Sequence, residues 1–444
     1  MRTSQISLFE STKSIKRGTE KALREVMDHD LTFKGEKTAY STHNTHAFAA
    51  KFPPQIPRKF IDELTKPGDI VYDPMIGSGT TLVEAILSER HVIGTDIDKL
   101  ALMISSMKTT PINIFEAKML LHSIMKKALG FYEKKEKVDT YITSHYSEKA
   151  QEFFSYWFLS DTIRELAALI REIKGIDDPV LCNLFKVIFS SIIVTKNGGV
   201  SLALDLAHSR PHKVNGKKIR SAFDAFGQKA EKAISSLLTI QNRKTSVKLI
   251  RSDVKVLPLA NNSVDLIVTS PPYANAIDYM RAHKFSLIWF GEEPDDLSMA
   301  RKRYIGAELK EEIQPLPSET ATRSVVEVGK LDGHKASILA KYFREMYMAI
   351  SEMYRVLKPG KACIIVVGSS TMKGYDVMTH TGLAELVESA GFKLIDVKAR
   401  EIDRDRRMMA ISNKTTRFGI EARMHEEYVI AAMKRAKRGS EGAR

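Results

Sequence analysis

Between Asp69 and Asp96 the chain reads as strand, loop, helix and strand, and this run constrains the fold more than any other stretch. Asp69-Ile70-Val71-Tyr72 is a short apolar strand, Thr80–Ser88 has helical spacing, and His91–Thr95 is apolar again. Such a run is the core of a parallel, doubly wound sheet with helices on both faces. Further strands are expected at Val247–Ile250, Val264–Thr269, Ala362–Val367, Lys393–Val397 and Tyr428–Met433. Helices are expected at Ile56–Leu64, Ala282–Trp289 and Thr379–Ser389, and at Ala336–Val356, where Lys358-Pro359-Gly360 supplies a stop signal.

From about Lys108 to Val247 helical periodicity takes over, at Phe115–Leu129, Ser147–Ile173, Pro179–Val194 and Ser221–Leu238. This is read as a helical insertion. The division that follows is 1–107, a polar lead-in with one helix around Glu20–Met27 plus the first half of the core, then 108–246, the insertion. Residues 247–433 form the second half of the core, and 434–444 a basic, disordered tail. The polar segment 292–333 is read as mobile and 400–423 as a basic loop. The insertion, the polar segment and the basic loop are the candidates for target recognition.

The first loop is Asp73-Pro74-Met75-Ile76-Gly77-Ser78-Gly79-Thr80-Thr81. Gly77 and Gly79 allow positive φ and close approach of a ligand, and amide groups at the start of the next helix face it. Asp73 at the strand end suits a cationic amino group. Asp96 closes the next strand nineteen positions after Gly77, the spacing of an acid that takes ribose hydroxyls. Asp253, just past another strand, suits an adenine amino group. Pro74, Ser78 and Thr80 complete the loop. It lacks the G-x-G-x-x-G pattern and a terminal Lys-Ser/Thr, which disfavours nicotinamide and ATP.

The second loop, Ser270-Pro271-Pro272-Tyr273, follows the strand ending at Thr269. Two prolines fix φ twice and remove two N–H donors, so the backbone presents carbonyls in a stiff arrangement. The Ser270 hydroxyl and the Pro271 carbonyl can accept from an exocyclic amine, and Tyr273 can stack on a base turned out of a duplex. No strong base is needed, because the proton can leave after the methyl group has moved.

Together these loops resemble the S-adenosylmethionine-dependent DNA amino methyltransferases, and the Ser-Pro-Pro-Tyr form resembles the branch acting on cytosine N4. The run Ala50-Lys51-Phe52-Pro53-Pro54-Gln55-Ile56-Pro57 resembles the segment that precedes the glycine loop in that branch. This places Lys51, Phe52 and Pro53 beside the methionine part of the cofactor. The resemblance covers about Thr45–Ser106 and Val247–Met433. It implies a Rossmann-like class I methyltransferase, a three-layer α/β/α sandwich with a helical insertion, using S-adenosylmethionine on double-stranded DNA. At family level it also implies a restriction–modification setting with a cognate restriction endonuclease, while base flipping is expected from the chemistry, since a duplex hides the amine geometry the clamp needs. Adenine N6 and guanine N2 of RNA are the alternative targets, and a binding protein with a vestigial pocket is the non-catalytic one. Many relatives place the Ser-Pro-Pro-Tyr loop before the glycine loop, whereas here the glycine loop comes first.

Charge and cysteine content agree with that expectation. Lys+Arg 68 against Asp+Glu 54 gives a net charge of +14, which favours a polyanionic partner. The clusters Lys213, Lys217, Lys218, Arg220 and Arg404, Arg406, Arg407, Arg417 are candidates for phosphate contact. The two cysteines, Cys182 and Cys363, sit in apolar runs, without the Pro-Cys context of a nucleophile that attacks cytosine C5. No Cys/His cluster has zinc spacing. With no signal-like N-terminus and no apolar run of membrane-spanning length, a cytoplasmic protein is expected. His43 and His46 precede the cofactor region and are candidates to line it. Oligomeric state stays open.

Overall fold

Along Val71-Tyr72, Leu266-Ile267-Val268, Ala362–Val367 and Val429–Met433, successive side chains fall alternately into two separate hydrophobic cores. Period-two alternation with both faces buried marks a sheet in the middle of a layered fold. The computed structural model of the chain describes residues 18–195, 199–206, 211–274, 278–307, 314–402 and 425–436. Its central sheet has seven strands. They are β1 (Ile70–Asp73), β2 (His91–Asp96), β3 (Val247–Arg251), β4 (Val264–Thr269), β5 (Leu357–Gly368), β6 (Phe392–Glu401) and β7 (Glu426–Lys434). In space they run β3-β2-β1-β4-β5-β7-β6. Neighbours pair in parallel, except that β7 is antiparallel to both β5 and β6.

The chain enters through α1 (Thr19–Asp28) and α2 (Gln55–Leu64); α3 (Thr80–Leu87) and α4 (Lys99–Thr109) follow β1 and β2. The stretch before β3 is helical: α5 (Ile114–Tyr132), α6 (Lys135–His145), α7 (Glu148–Trp157), α8 (Ser160–Lys174), α9 (Pro179–Ile193) and α10 (Ala222–Ser236). After β4 come α11 (Met280–Leu287), α12 (Pro294–Arg301), α13 (Glu319–Leu331) and α14 (Gly333–Val356), and α15 (Thr379–Ser389) joins β5 to β6. Helices α1, α2 and α3 cover one face of the sheet, with Leu23, Ile56, Phe60 and Ile86 against Val71, Leu266 and Ile364. Helices α13, α14 and α15 cover the other, with Val325, Phe343, Met346 and Leu383 against Ile267, Cys363 and Ile365. The fold is a Rossmann-like three-layer α/β/α sandwich.

A third core belongs to the helices between β2 and β3, and it reaches past them. Leu100 and Ile104 of α4 lie in it, as do Phe285 of α11, Trp289 and Leu297 of α12. Phe154 stacks on Trp289 with ring centroids 3.8 Å apart and planes at 14°. The elements that flank both site loops are thus packed into the insertion.

Three elements differ from expectation. Ser147–Ile173 is two helices, because Phe158 and Leu159 are extended (φ −134° and −75°), which turns the buried Phe158 ring toward Trp289 and Phe285. Helix α6 has no counterpart in the sequence reading; it buries only Val138 and Ile142, too thin a stripe to declare a period. The polar segment read as mobile carries α12, started by Pro294, and α13, capped by the Ser318 hydroxyl on the Ala321 amide. The lead-in helix packs as part of the sandwich, with Leu23, Val26 and Met27 buried. Of the segment read as a basic loop, Arg400 and Glu401 belong to β6 and 403–423 lies outside the described residues, as does the tail from 437.

Candidate active site

The glycine loop and the Ser-Pro-Pro-Tyr loop leave the carboxyl ends of β1 and β4, which are parallel neighbours. In open α/β sheets that edge is where ligands bind. The two loops are tied directly: the Thr269 hydroxyl donates to Asp73 Oδ1 at 2.7 Å. Gly77 and Gly79 have φ of +48° and +76°, the left-handed region that disfavours a side chain. A Cβ at Gly79 would lie 2.8 Å from Ser105 Oγ, and one at Gly77 3.1 Å from the Phe48 ring.

Helix α4 holds this loop from beneath. Ser105 Oγ donates to the Gly77 carbonyl at 3.1 Å and Lys108 Nζ to the Ser78 carbonyl at 2.8 Å. Lys108 is wholly buried, and that burial holds its amine well below the usual lysine range. The Gly77 amide donates to Asp96 Oδ2 at 2.9 Å, joining the loop to the end of β2.

Lys51, Phe52, Pro74, Gly77, Ser78, Thr80, Asp96 and Asp253 line one cavity, and Ser270 and Pro272 stand on its wall. Pro53, Asp73, Gly79, Pro271 and Tyr273 are not on that wall. Pro53 starts α2 through its carbonyl, which accepts from the Ile56 amide at 3.1 Å. Asp73 is buried beneath the loop, where it also accepts from the Met75 amide at 3.1 Å. Tyr273 is only 4% exposed and packs in the core with Tyr72 and Ile267, its hydroxyl donating to Glu427 Oε1 at 2.9 Å. In this arrangement its ring offers no open face to a base.

Burial raises the Asp73 carboxyl to about 6 and, with the charge of Asp98 adding to it, the Asp96 carboxyl to about 7. Both acids are met by neutral donors only, and Asp96, which lines the cavity, would be completed by sugar hydroxyls. Ile97, Val254 and the Phe48 ring add an apolar wall suited to an adenine. These residues fit S-adenosylmethionine, which carries a ribose and an adenine.

The model of the N6/N4 methyltransferase family, described as DNA methylase, matches residues 10–106 and 264–438, which hold every strand of the central sheet but β3 and make up more than half of the chain. The chain belongs to this DNA methylase family. Type II methyltransferase M.MvaI of Kocuria varians is 24% identical over 437 residues, covering 90% of this chain and 93% of its own. Type II methyltransferase M.BsoBI of Geobacillus stearothermophilus is 22% identical over 451 residues, covering 85% of each. A solved S-adenosylmethionine-dependent methyltransferase from Methanosarcina mazei aligns with 11% identity and a TM-score of 0.31, over 85% of this chain and 98% of its own.

DNA is the substrate of this methylase and S-adenosylmethionine its cofactor. Among the described residues no helix is long and apolar enough to cross a membrane. The cavity also holds side chains that sequence reasoning missed: Phe48, Asp98, Tyr279 and Tyr304. Asp98 caps α4 through the Leu100 and Ala101 amides and binds His283 Nδ1 at 2.6 Å. An acid directly before an apolar helical run is a cap signal, so Asp98 was findable; nothing in the sequence marks the three aromatic residues.

His43 and His46 lie behind the cavity instead of lining it. His43 Nε2 meets Glu84 Oε1 at 2.6 Å and His46 Nε2 meets Ser190 Oγ at 2.8 Å. Lys217 is spent inside the fold, on the Ser201 and Ala203 carbonyls at 2.7 Å, and Lys213 sits 4.5 Å from the Tyr156 ring centroid. Lys218 and Arg220 are exposed. Arg404, Arg406, Arg407 and Arg417 lie outside the described residues. Burial pushes the Cys363 thiol up to about 12, the opposite of a nucleophile.

Proposed function

We propose that this methylase transfers a methyl group from S-adenosylmethionine to the exocyclic N4 amine of cytosine in duplex DNA, with the target base turned out of the helix. The observation that carries this reading is the presence of Ser270 and Pro272 on the wall of the cavity that Gly77 and Asp96 line. When bound, the cofactor supplies a methyl group on a sulfonium whose sulfur leaves as a neutral thioether. Asp96 and Asp253 are assigned to the ribose hydroxyls and the adenine amine, while Asp73, beneath the loop, braces it through Thr269 and Met75. Lys51, Phe52, Pro74, Ser78 and Thr80 enclose the cofactor.

The Ser270 hydroxyl, on the cavity wall, is assigned to accept an N–H bond of the amine, which orients the nitrogen and raises its electron density. Nitrogen is the nucleophile, and its surplus proton passes to water after the transfer. Most of the rate enhancement is then positioning and electrostatics. The similarity to the type II methyltransferases M.MvaI and M.BsoBI supports a type II setting, in which a restriction endonuclease would share the target site.

The deciding experiment is transfer of labelled methyl to unmethylated duplex DNA, followed by nucleoside mass analysis. N4-methylcytosine is expected. N6-methyladenine would preserve the mechanism and overturn the reading of Ser270, and label in structured RNA alone would overturn DNA as the substrate.

A further inference from the structure

From the mouth of the cavity a row of cations and aromatic rings runs out onto the insertion. Arg303 stands on the cavity wall and is exposed. Two residues before it, at the end of α12, Arg301 Nε meets Asp278 Oδ2 at 2.5 Å, and Arg281 Nε of α11 donates to the same oxygen at 2.9 Å. Asp278 adjoins Tyr279, which also lines the cavity. Lys284 lies one turn along α11 from Arg281, and its amine is 5.4 Å from the Phe153 ring centroid. Phe153 neighbours Trp157, whose ring meets that of the exposed Tyr156 edge to face with centroids 4.9 Å apart. Lys213 closes the row, its amine 4.5 Å from the Tyr156 ring centroid. It sits on a short antiparallel pair that joins Ala203–Leu204 to His212–Lys213.

Arg281, Lys284, Arg301 and Arg303 gather at the cavity end of this row, and Asp278 is the one carboxylate bonded to any of them among the described residues. Like charges held together destabilise the free protein, and a polyanion lying across them offsets that repulsion. The rings add order. A lysine held over an aromatic face keeps its amine in one place, so less side-chain freedom is lost when a phosphate arrives. A compact anion would need a single cluster of donors. A row that begins where a base must enter and crosses from α12 through α11 and α7 to the Lys213 strand suits a long, evenly charged chain instead.

We propose that this row is the track on which the enzyme lays the DNA backbone flanking its target base, with Arg281 toward the target and Lys213 further along. The inference rests on reading the cavity as the place where the target base enters. It does not depend on which base that is, because phosphate contacts carry no sequence information. Ion pairs that merely joined α11 to α12 would leave Lys213, on another element, without effect on DNA.

Arg281→Gln and Lys213→Gln, singly and together in the full chain, test this; neither residue is on the cavity wall. Affinity for duplex DNA is measured against salt concentration, and phosphate ethylation interference on a duplex bearing the methylated site locates the contacts. Each variant should lower the salt slope by about 0.9, and the pair by about twice that. Cofactor affinity without DNA should be unchanged. Arg281→Gln should erase interference at a phosphate beside the target nucleotide, and Lys213→Gln at one more distant. Wild-type slopes and interference in the double variant would overturn the inference, whether or not its melting temperature falls.

If the wild-type product is N6-methyladenine, the N4 reading fails alone, and slope and interference still decide the track. If no methyl product forms, the salt slope on unmodified duplex decides by itself: a slope lowered in both variants supports the track, and an unchanged one overturns it. A wild type that binds structured RNA and not duplex DNA overturns it as well.

Discussion

Asp73 and Asp96 are acids whose ionisation the fold resists, and they set how the site answers to pH. Their carboxyls are raised from an ordinary 3.8 to about 6 and about 7. A raised folded-state value means the contribution to stability is full below about pH 4 and is lost as pH climbs through 6 and 7. The free protein therefore weakens, from these two groups, on going from acid to neutral. Binding runs the other way at Asp96, because sugar hydroxyls donating to it favour the ionised form. Cofactor affinity should rise between pH 5 and pH 7, with protons released at pH 6. Calorimetry in two buffers of different ionisation enthalpy checks this; proton uptake at pH 6 would contradict it. At the same scale Tyr273 shows how far a residue can be read in isolation. Its place beside Ser270 is legible, but whether the ring faces a base or the core depends on Glu427, 154 positions away.

Helix α11 is the element that joins site to insertion. Tyr279, just before it, lines the cavity, and His283 holds Asp98, while Phe285 and the Trp289 that follows enter the third core. Trp289→Ala removes a fully buried ring stacked on Phe154 and should cost about 3–5 kcal/mol of stability. Because α11 carries both ends, cofactor affinity should fall with it; melting curves and a cofactor titration together would detect an insertion that melts without disturbing the site. Elements of this chain are legible in its sequence where local signals are complete. Val264–Thr269 and Thr379–Ser389 match expectation to the residue, the strand because the apolar residues Leu266-Ile267-Val268 run up to a stop at Ser270-Pro271-Pro272. The break between α7 and α8 was not readable, since the apolar phase continues across it and only the packing of Phe158 fixes the bend. In the site, Gly77, Asp96, Asp253 and Ser270 each stand at a strand end with a chemical reason to be there. Phe48, Tyr279 and Tyr304 carry no local mark of function and are brought to the cavity by tertiary folding alone.

At the scale of the molecule the surplus of +14 belongs with the substrate. Affinity for duplex DNA should fall linearly with the logarithm of salt concentration, by about 0.9 in slope for each phosphate neutralised. Lys218 and Arg220 are exposed on the insertion, and charge reversal of both should flatten that slope by about two. An unchanged slope would remove this face from the DNA contact. The tie between Thr269 and Asp73 spans 196 positions of sequence and 2.7 Å of space. Each half of the site hangs from its own strand, and those strands meet by lateral pairing, so the peptide that links them takes no part in placing one against the other. The order of the two loops is a matter of wiring. A gene opened within the insertion would yield two polypeptides, one bearing the cofactor loop and one the amine clamp, with β1 and β2 of the first pairing on either side with β4 and β3 of the second. Relatives that carry the clamp first could thus share this arrangement as circular permutations of a single strand order.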